Sequence, residues 1–194
     1  MAILRSAAAL FAADGYGPTT VGAVAERAGV SAQTVYNSIG SKRELLKAAY
    51  DVTLAGDDEP IPLAERPEVK AMYAMTDAAE FLRSYARLGR QVAERIGPLV
   101  LQLAAGAALG EPDLVEHQRT TDQQRLTGTG MVVAKVDALG ALAPSLTVEA
   151  ARDRIWTLNS IEVWGLLTRN RGWSGDEYAD WIGDAMCAAI LARR

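Results

Sequence analysis

Apolar side chains recur along the chain at intervals of three and four, and no stretch sustains the period-two alternation that a strand needs. The pattern predicts an all-α fold. Ile3, Ala7, Leu10 and Phe11 form the stripe of a first helix, which ends at the turn Asp14-Gly15-Tyr16-Gly17-Pro18. Thr20 stands where it can cap a second helix ending at Gly29, and Ser31 where it can cap a short third helix closed by Gly40. Ser41-Lys42-Arg43-Glu44 has the spacing of a capping box and opens a fourth. Between Gly56 and Pro67 lie three prolines and five charges, which mark a linker and divide the chain into predicted domains 1–50 and 51–194.

The second domain is punctuated in the same way. Asp77 to Glu80 start a helix whose stripe is Phe81, Tyr85, Leu88 and Val92, and Gly97-Pro98 predicts the start of another. Pro112-Asp113 opens a long helix to about Leu139, and Pro144 to Thr147 is a break. A further helix is expected from Val148 to about Asn170, and a second capping box, Ser174 to Glu177, leads a last one to Leu191.

Composition narrows the class. The 194 residues are 49% hydrophobic and 23% charged with a net charge of −4, a globular balance and not a disordered one. The longest apolar run, Pro98 to Gly110, is interrupted by Gln102 and is too short to cross a bilayer. Arg5 sits inside the Ala-rich N-terminal stretch and not ahead of it, so that stretch reads as a helix of a cytoplasmic protein and not as a leader. Cys187 is the one cysteine and His117 the one histidine, which removes disulfide frameworks, Cys/His zinc sites and most His-based catalytic arrangements. Residues 1–50 carry a net charge of +2 and the remainder −6, so nucleic acid would be met by the N-terminal part.

Residues 21–39 carry the functional signal. Val21, Val24, Val30 and Val35 would face a shared core, Ala25 lies where two helices come closest, and Gly29 supplies a turn that disfavours side chains. This spacing predicts a helix-turn-helix, which an arbitrary pair of antiparallel helices would not need. The third helix would then enter the major groove. Gln33, Thr34 and Asn37 are uncharged hydrogen-bonding side chains suited to base edges, and Ala32 or Thr34 can meet a thymine methyl group. Tyr36, Ser41, Lys42 and Arg43 are placed for phosphates, together with the amides that open the fourth helix. Without the neighbouring turn, the same polar positions would read as a solvated helix face.

The run from Gly15 to Leu45 resembles the DNA-binding domain of the TetR family of bacterial transcriptional regulators. The resemblance rests on the glycine-aromatic turn Gly15-Tyr16, Thr19-Thr20-Val21, Ala28-Gly29-Val30-Ser31, Thr34-Val35-Tyr36 and Ser41-Lys42-Arg43-Glu44-Leu45. It implies DNA contacts from Thr20, Thr34 and Tyr36, a supporting contact from Lys42, and specificity positions at Gln33 and Asn37. Two departures stand out. Arg5 is the one basic residue at the start of the first helix where relatives carry a longer basic segment, which predicts a truncated start or a weaker phosphate grip. Ile39 replaces an aromatic residue, a change that keeps the site apolar. The segment from Thr147 to Met186 is similar to the last two helices of many actinobacterial members.

The resemblance also implies a C-terminal helical bundle that binds a small-molecule effector and pairs with a twin chain. Candidate effector contacts are Tyr85, Leu88, Leu101, Leu103, His117, Thr121, Gln124 and Trp156. His117, Thr121 and Gln124 share one helix face, although the surrounding segment is polar enough to be wet surface. Candidate dimer contacts are Leu158, Ile161, Trp164, Trp181, Ala185 and Ala189, with intrachain core as the competing role. Asp113 and His117 are too few ligands for a metal, and Gly128-Thr129-Gly130 lacks the strand of a nucleotide loop. The expected protein is a homodimeric repressor that binds a palindromic operator in double-stranded DNA and is released by an effector, without cofactor, metal, membrane or catalysis. The competing readings are a constitutive DNA-binding protein and a helical-bundle enzyme.

Overall fold

The computed structural model describes residues 1–56 and 65–192; most of the expected linker falls outside the described residues. The described residues form ten α-helices: α1 (Ala2–Asp14), α2 (Val21–Ala28), α3 (Ala32–Ser38), α4 (Lys42–Ala55), α5 (Pro67–Tyr73), α6 (Ala78–Ala108), α7 (Pro112–Ala138), α8 (Val148–Leu158), α9 (Ile161–Gly165) and α10 (Gly175–Ile190). One π-helical turn, Leu166–Asn170, follows α9. A lone antiparallel bridge ties Leu142 to Leu191 behind the end of α10.

The caps act as their residue types require. Thr20, Ser31, Ser41, Thr147, Ser160 and Ser174 each accept a hydrogen bond from the backbone N–H three residues on. Ser41 with Glu44 and Ser174 with Glu177 complete reciprocal capping boxes.

By contacts the described residues form two units. The first takes residues from Met1–Pro60 and Arg95–Thr120, the second from Ile61–Glu94 and Thr121–Arg194. Helices α6 and α7 therefore contribute to both. The core of the first unit holds Ala7, Phe11, Val24, Val35, Leu45 and Leu46, all at most 1% exposed. That of the second is built on Phe81, Leu82, Val133, Ile155, Ile182 and Met186.

Two element boundaries differ from those expected. Gly97-Pro98 does not start a helix: α6 runs unbroken through it, with Pro98 inside. Proline disfavours the helical conformation of the residue before it by clashing with that residue's Cβ, and Gly97 has none. Burial of Ile96, Leu99 and Leu103 on either side then offsets the one lost backbone bond. In the other direction, the expected helix from Val148 to Asn170 is broken at Asn159, where Ser160 caps a new helix. The Asn159 side-chain amide donates to the Tyr85 hydroxyl at 2.7 Å, and the Arg125 guanidinium donates to its carbonyl at 3.3 Å. These polar contacts hold the break.

Because only the missing N–H opposes α6 at this point, Pro98→Ala is expected to raise the unfolding free energy by ~1–3 kcal/mol. Urea denaturation measures it. A loss of stability would mean that the proline ring itself is needed at that point of α6.

Candidate nucleic-acid interface

The second and third helices meet across a turn made by Gly29, whose backbone lies in the left-handed region at φ 70°, ψ 31°. Its N–H donates to the Ala25 and Glu26 carbonyls, and the Val30 N–H reaches back to the Ala25 carbonyl at 3.0 Å. Ala25 is 2% exposed at the crossing. Val21, Val24 and Val35 are buried as expected, and Val30 is half-buried.

Helix α3 shows a sharp division. Val35 is its one buried side chain, while Gln33, Thr34, Tyr36, Asn37 and Ser38 are exposed and Ala32 is intermediate. Tyr36 stands out at 51% exposure. The exposed groups are ordered before any partner arrives. The Ser31 and Thr34 hydroxyls are 2.8 Å apart, the Gln33 amide donates to the Asn37 side-chain oxygen at 2.8 Å, and the Ser38 hydroxyl donates to the Thr34 carbonyl at 2.6 Å.

The cations at the start of α4 are less free than their sequence suggests. The Lys42 ammonium donates to the Gly17 carbonyl at 3.1 Å and lies 4.3 Å from the centre of the Tyr16 ring, a cation–π contact. Burial pulls its pKa below the ordinary lysine value, against the opposing pull of Glu111 and Asp113. Tyr16 in turn packs on Phe11 with ring centres 5.5 Å apart and donates its hydroxyl proton to Asp113 at 2.6 Å. Burial, and then the bond to Asp113, push this phenol well above its usual range. Arg43 pairs with Glu116 at 2.6 Å. The Ser41 hydroxyl is engaged with Glu44, whose carboxyl is held below the usual carboxylate range by the Ser41 backbone and side-chain bonds. Thr20 is exposed and caps α2.

Of the other expected site residues, Leu101, Leu103 and His117 lie in the first unit. Leu103 is buried, Leu101 is half-buried, and the His117 ring meets Tyr50 edge-on at 4.7 Å. In the second unit Tyr85, Leu88, Thr121 and Trp156 are half-buried, and Gln124 is exposed. Trp164, expected at a dimer contact, lies in the chain's own core at 6% exposure, whereas Trp181 is 43% exposed and meets Trp173 edge-on at 5.9 Å. Leu158, Ile161, Ala185 and Ala189 are half-buried.

Residues 3–49, from α1 into α4, match the family described as bacterial regulatory proteins, tetR family. The match covers the N-terminal part of the chain, and that segment is a TetR-type domain. In fold the chain is similar to a Rhodococcus sp. protein assigned as a TetR-family transcriptional regulator, at 20% identity and a TM-score of 0.75, with 97% of this chain and 96% of that one covered. It is also similar to a protein from Saccharomonospora viridis, assigned as a transcriptional regulator and solved in complex with choline, at 20% identity and TM-score 0.73 over 99% and 97% of the chains. A third similar structure is the SmeT–triclosan complex, at 16% identity and TM-score 0.72 over 98% and 90%. No curated protein matches in sequence. Among the described residues, no helix is long and apolar enough to cross a membrane.

Sequence reasoning on the TetR-type domain left out Asp113 and Glu116, the acids that hold Tyr16 and Arg43. Asp113 is 97 residues from Tyr16, so no local pattern joins them. His117 beside them gives a test. Its Nε2 is buried without a hydrogen-bond partner, and burial pulls its pKa below the ordinary value of 6.5, with Asp51 opposing and Lys47 assisting. The folded chain keeps the ring neutral where the unfolded chain takes up a proton. Stability should therefore fall as pH drops below the unfolded value of 6.5 and level off beneath the depressed folded one. Replacing His117→Phe, which keeps the ring contact, should flatten the melting temperature's fall as pH drops below 6.5. An unchanged slope would show that another group carries it.

Proposed function

We propose that this chain is a sequence-specific DNA-binding transcriptional regulator, a repressor that binds a palindromic operator as a homodimer and leaves it when an effector binds. The observation that carries the reading is the division of α3 into one buried valine and a continuous exposed polar face beside the caps of α3 and α4. A helix held by its apolar side at a tight turn, with hydrogen-bonding groups outward, is shaped to lie in a major groove. Gln33 and Asn37 would read base edges, and Ala32 or Thr34 would meet a thymine methyl group. Thr20, Ser31, Thr34, Tyr36, Ser41, Lys42 and Arg43 would hold the backbone.

Dimerisation is supported by the apolar groups left outward near the end of the chain. Trp181 on α10 and Leu166 on the π-helical turn are 43% and 57% exposed, more than a monomer needs to leave wet. Trp181, Ala185 and Ala189, with Leu158 and Ile161, would meet the twin chain, and two-fold symmetry would impose the operator's inverted repeat. Half-sites about 34 to 36 Å apart would suit the paired recognition helices. The choline and triclosan complexes of structurally similar proteins support an effector-binding role for the second unit, where Tyr85, Leu88, Thr121 and Trp156 are half-buried. An effector that separates the bound and released states by about 1 to 3 kcal/mol would suffice.

Selection of duplexes from a random pool tests the reading. An inverted repeat should be enriched, and Gln33→Ala or Asn37→Ala should relax base preference at one position per half-site with a roughly 5- to 150-fold loss. Lys42→Ala and Arg43→Ala should instead weaken all sequences alike and lower the salt slope by about one each. No enrichment by a folded dimer would remove DNA reading from the function.

A further inference from the structure

Tyr85, Arg125, Trp156 and Asn159 form a connected group in the second unit, drawn from α6, α7, α8 and the break after α8. The Arg125 guanidinium lies 4.2 Å from the centre of the Trp156 ring and donates to the Asn159 carbonyl. The Asn159 amide donates to the Tyr85 hydroxyl. A Cβ on Gly89 would fall 2.6 Å from the Asn159 side-chain oxygen, so the glycine keeps room for it.

Hydrogen-bond accounting gives this group a sign. The Trp156 indole N–H is buried and has no acceptor among the described residues. Arg125 is 26% exposed, and the carboxylate it reaches, Asp122, is 3.9 Å away on the wetter side. The Tyr85 hydroxyl already accepts from Asn159, which leaves its proton to give. Even with the Asn159 side-chain oxygen and Asp122 counted, the cluster holds more donors than acceptors. Of the features that could favour a cationic ligand, the indole face is already covered by the chain's own guanidinium, and Asp122 already faces it.

Resting on the effector reading above, we propose that this cluster recognises an acidic effector, a small molecule whose carboxylate accepts from the Trp156 indole N–H and the Arg125 guanidinium. Its aromatic or aliphatic body would lie along the apolar stripe of α6 that includes Leu88. A quaternary ammonium such as choline would have to displace Arg125 from the ring and would leave the indole donor unmet.

The test is a titration of the full chain with monocarboxylates, namely benzoate, phenylacetate and octanoate, beside their primary amides and choline, followed by tryptophan quenching and by thermal shift. Carboxylates should bind about tenfold or more tightly than the matched amides and choline. Trp156→Phe keeps the stacked ring and should weaken carboxylate binding several-fold, Arg125→Gln should weaken it further, and Arg125→Lys should restore part of it. Circular dichroism melts establish that each variant is folded. Amides or choline binding as tightly as the acids, carboxylate binding indifferent to both substitutions, or no carboxylate binding up to ~10 mM would each overturn the proposal. The selected operator separates this from the wider reading: release by choline or a neutral compound alone would keep the effector role and remove the acidic class. Failure to bind any operator would instead remove the regulator role while the titration still decides the ligand.

Discussion

The proposed DNA reading depends on how a seven-residue helix is held. Helix α3 is too short to persist alone and buries one side chain, Val35, so its own hydrogen bonds cannot fix its direction. The constraint comes from outside. Gly29 takes the left-handed turn conformation, Ala25 lets the helices approach, and Ser31 satisfies an amide at the start of α3. A larger residue at 25 would separate the helices, and a side chain at 29 would add backbone strain although the space beside it is open. The exposed face is therefore rigid for reasons that lie on its hidden side, and rigidity reduces the ordering cost of engaging a partner.

The same logic extends to the turn before α2. Tyr16 does three things at once: it packs on Phe11, carries Lys42 over its ring and donates to Asp113 on α7. Its buried hydroxyl would be costly without that acceptor. An element far along the sequence thereby becomes part of what positions the first helices, and residues 95–120 join the unit of α1 to α4 for this kind of reason.

How much of this was legible follows the range of the interactions. The first four helices could be read from the chain because their determinants are local: Thr20, Ser31 and Ser41 each cap within three residues, and Gly29 acts at its own position. The same holds for the capping box at Ser174. Gly97-Pro98 misled because a proline after a glycine is locally a helix start, and only the burial of Ile96, Leu99 and Leu103 carries the helix through. The break at Asn159 misled in the opposite direction, since its causes are Tyr85 and Arg125, 74 and 34 residues away. For the site, the outward face of α3 was legible from residue type and spacing. The acids that meet Lys42 and Arg43 were not, because sequence separation hides charge pairing as completely as it hides packing.

In the proposed DNA complex those acids would set how strongly Arg43 and Lys42 hold a phosphate backbone. Arg43 and Glu116 are 53% and 61% exposed, and an exposed pair of this kind contributes only ~0.2–1 kcal/mol. A phosphate oxygen offers Arg43 a comparable partner with released counterions in addition, so the exchange is downhill at low salt. Lys42 is more constrained, since leaving Tyr16 would give up the cation–π contact and the bond to Gly17 together. The two neighbouring cations therefore have different parts. In the proposed complex Arg43 would swing to a phosphate at small cost, whereas Lys42 would work best where the backbone comes to it. Whatever displaces Asp113 or Glu116 changes both, because the anchor of Tyr16 and the competitor for Arg43 are one helical turn apart on α7.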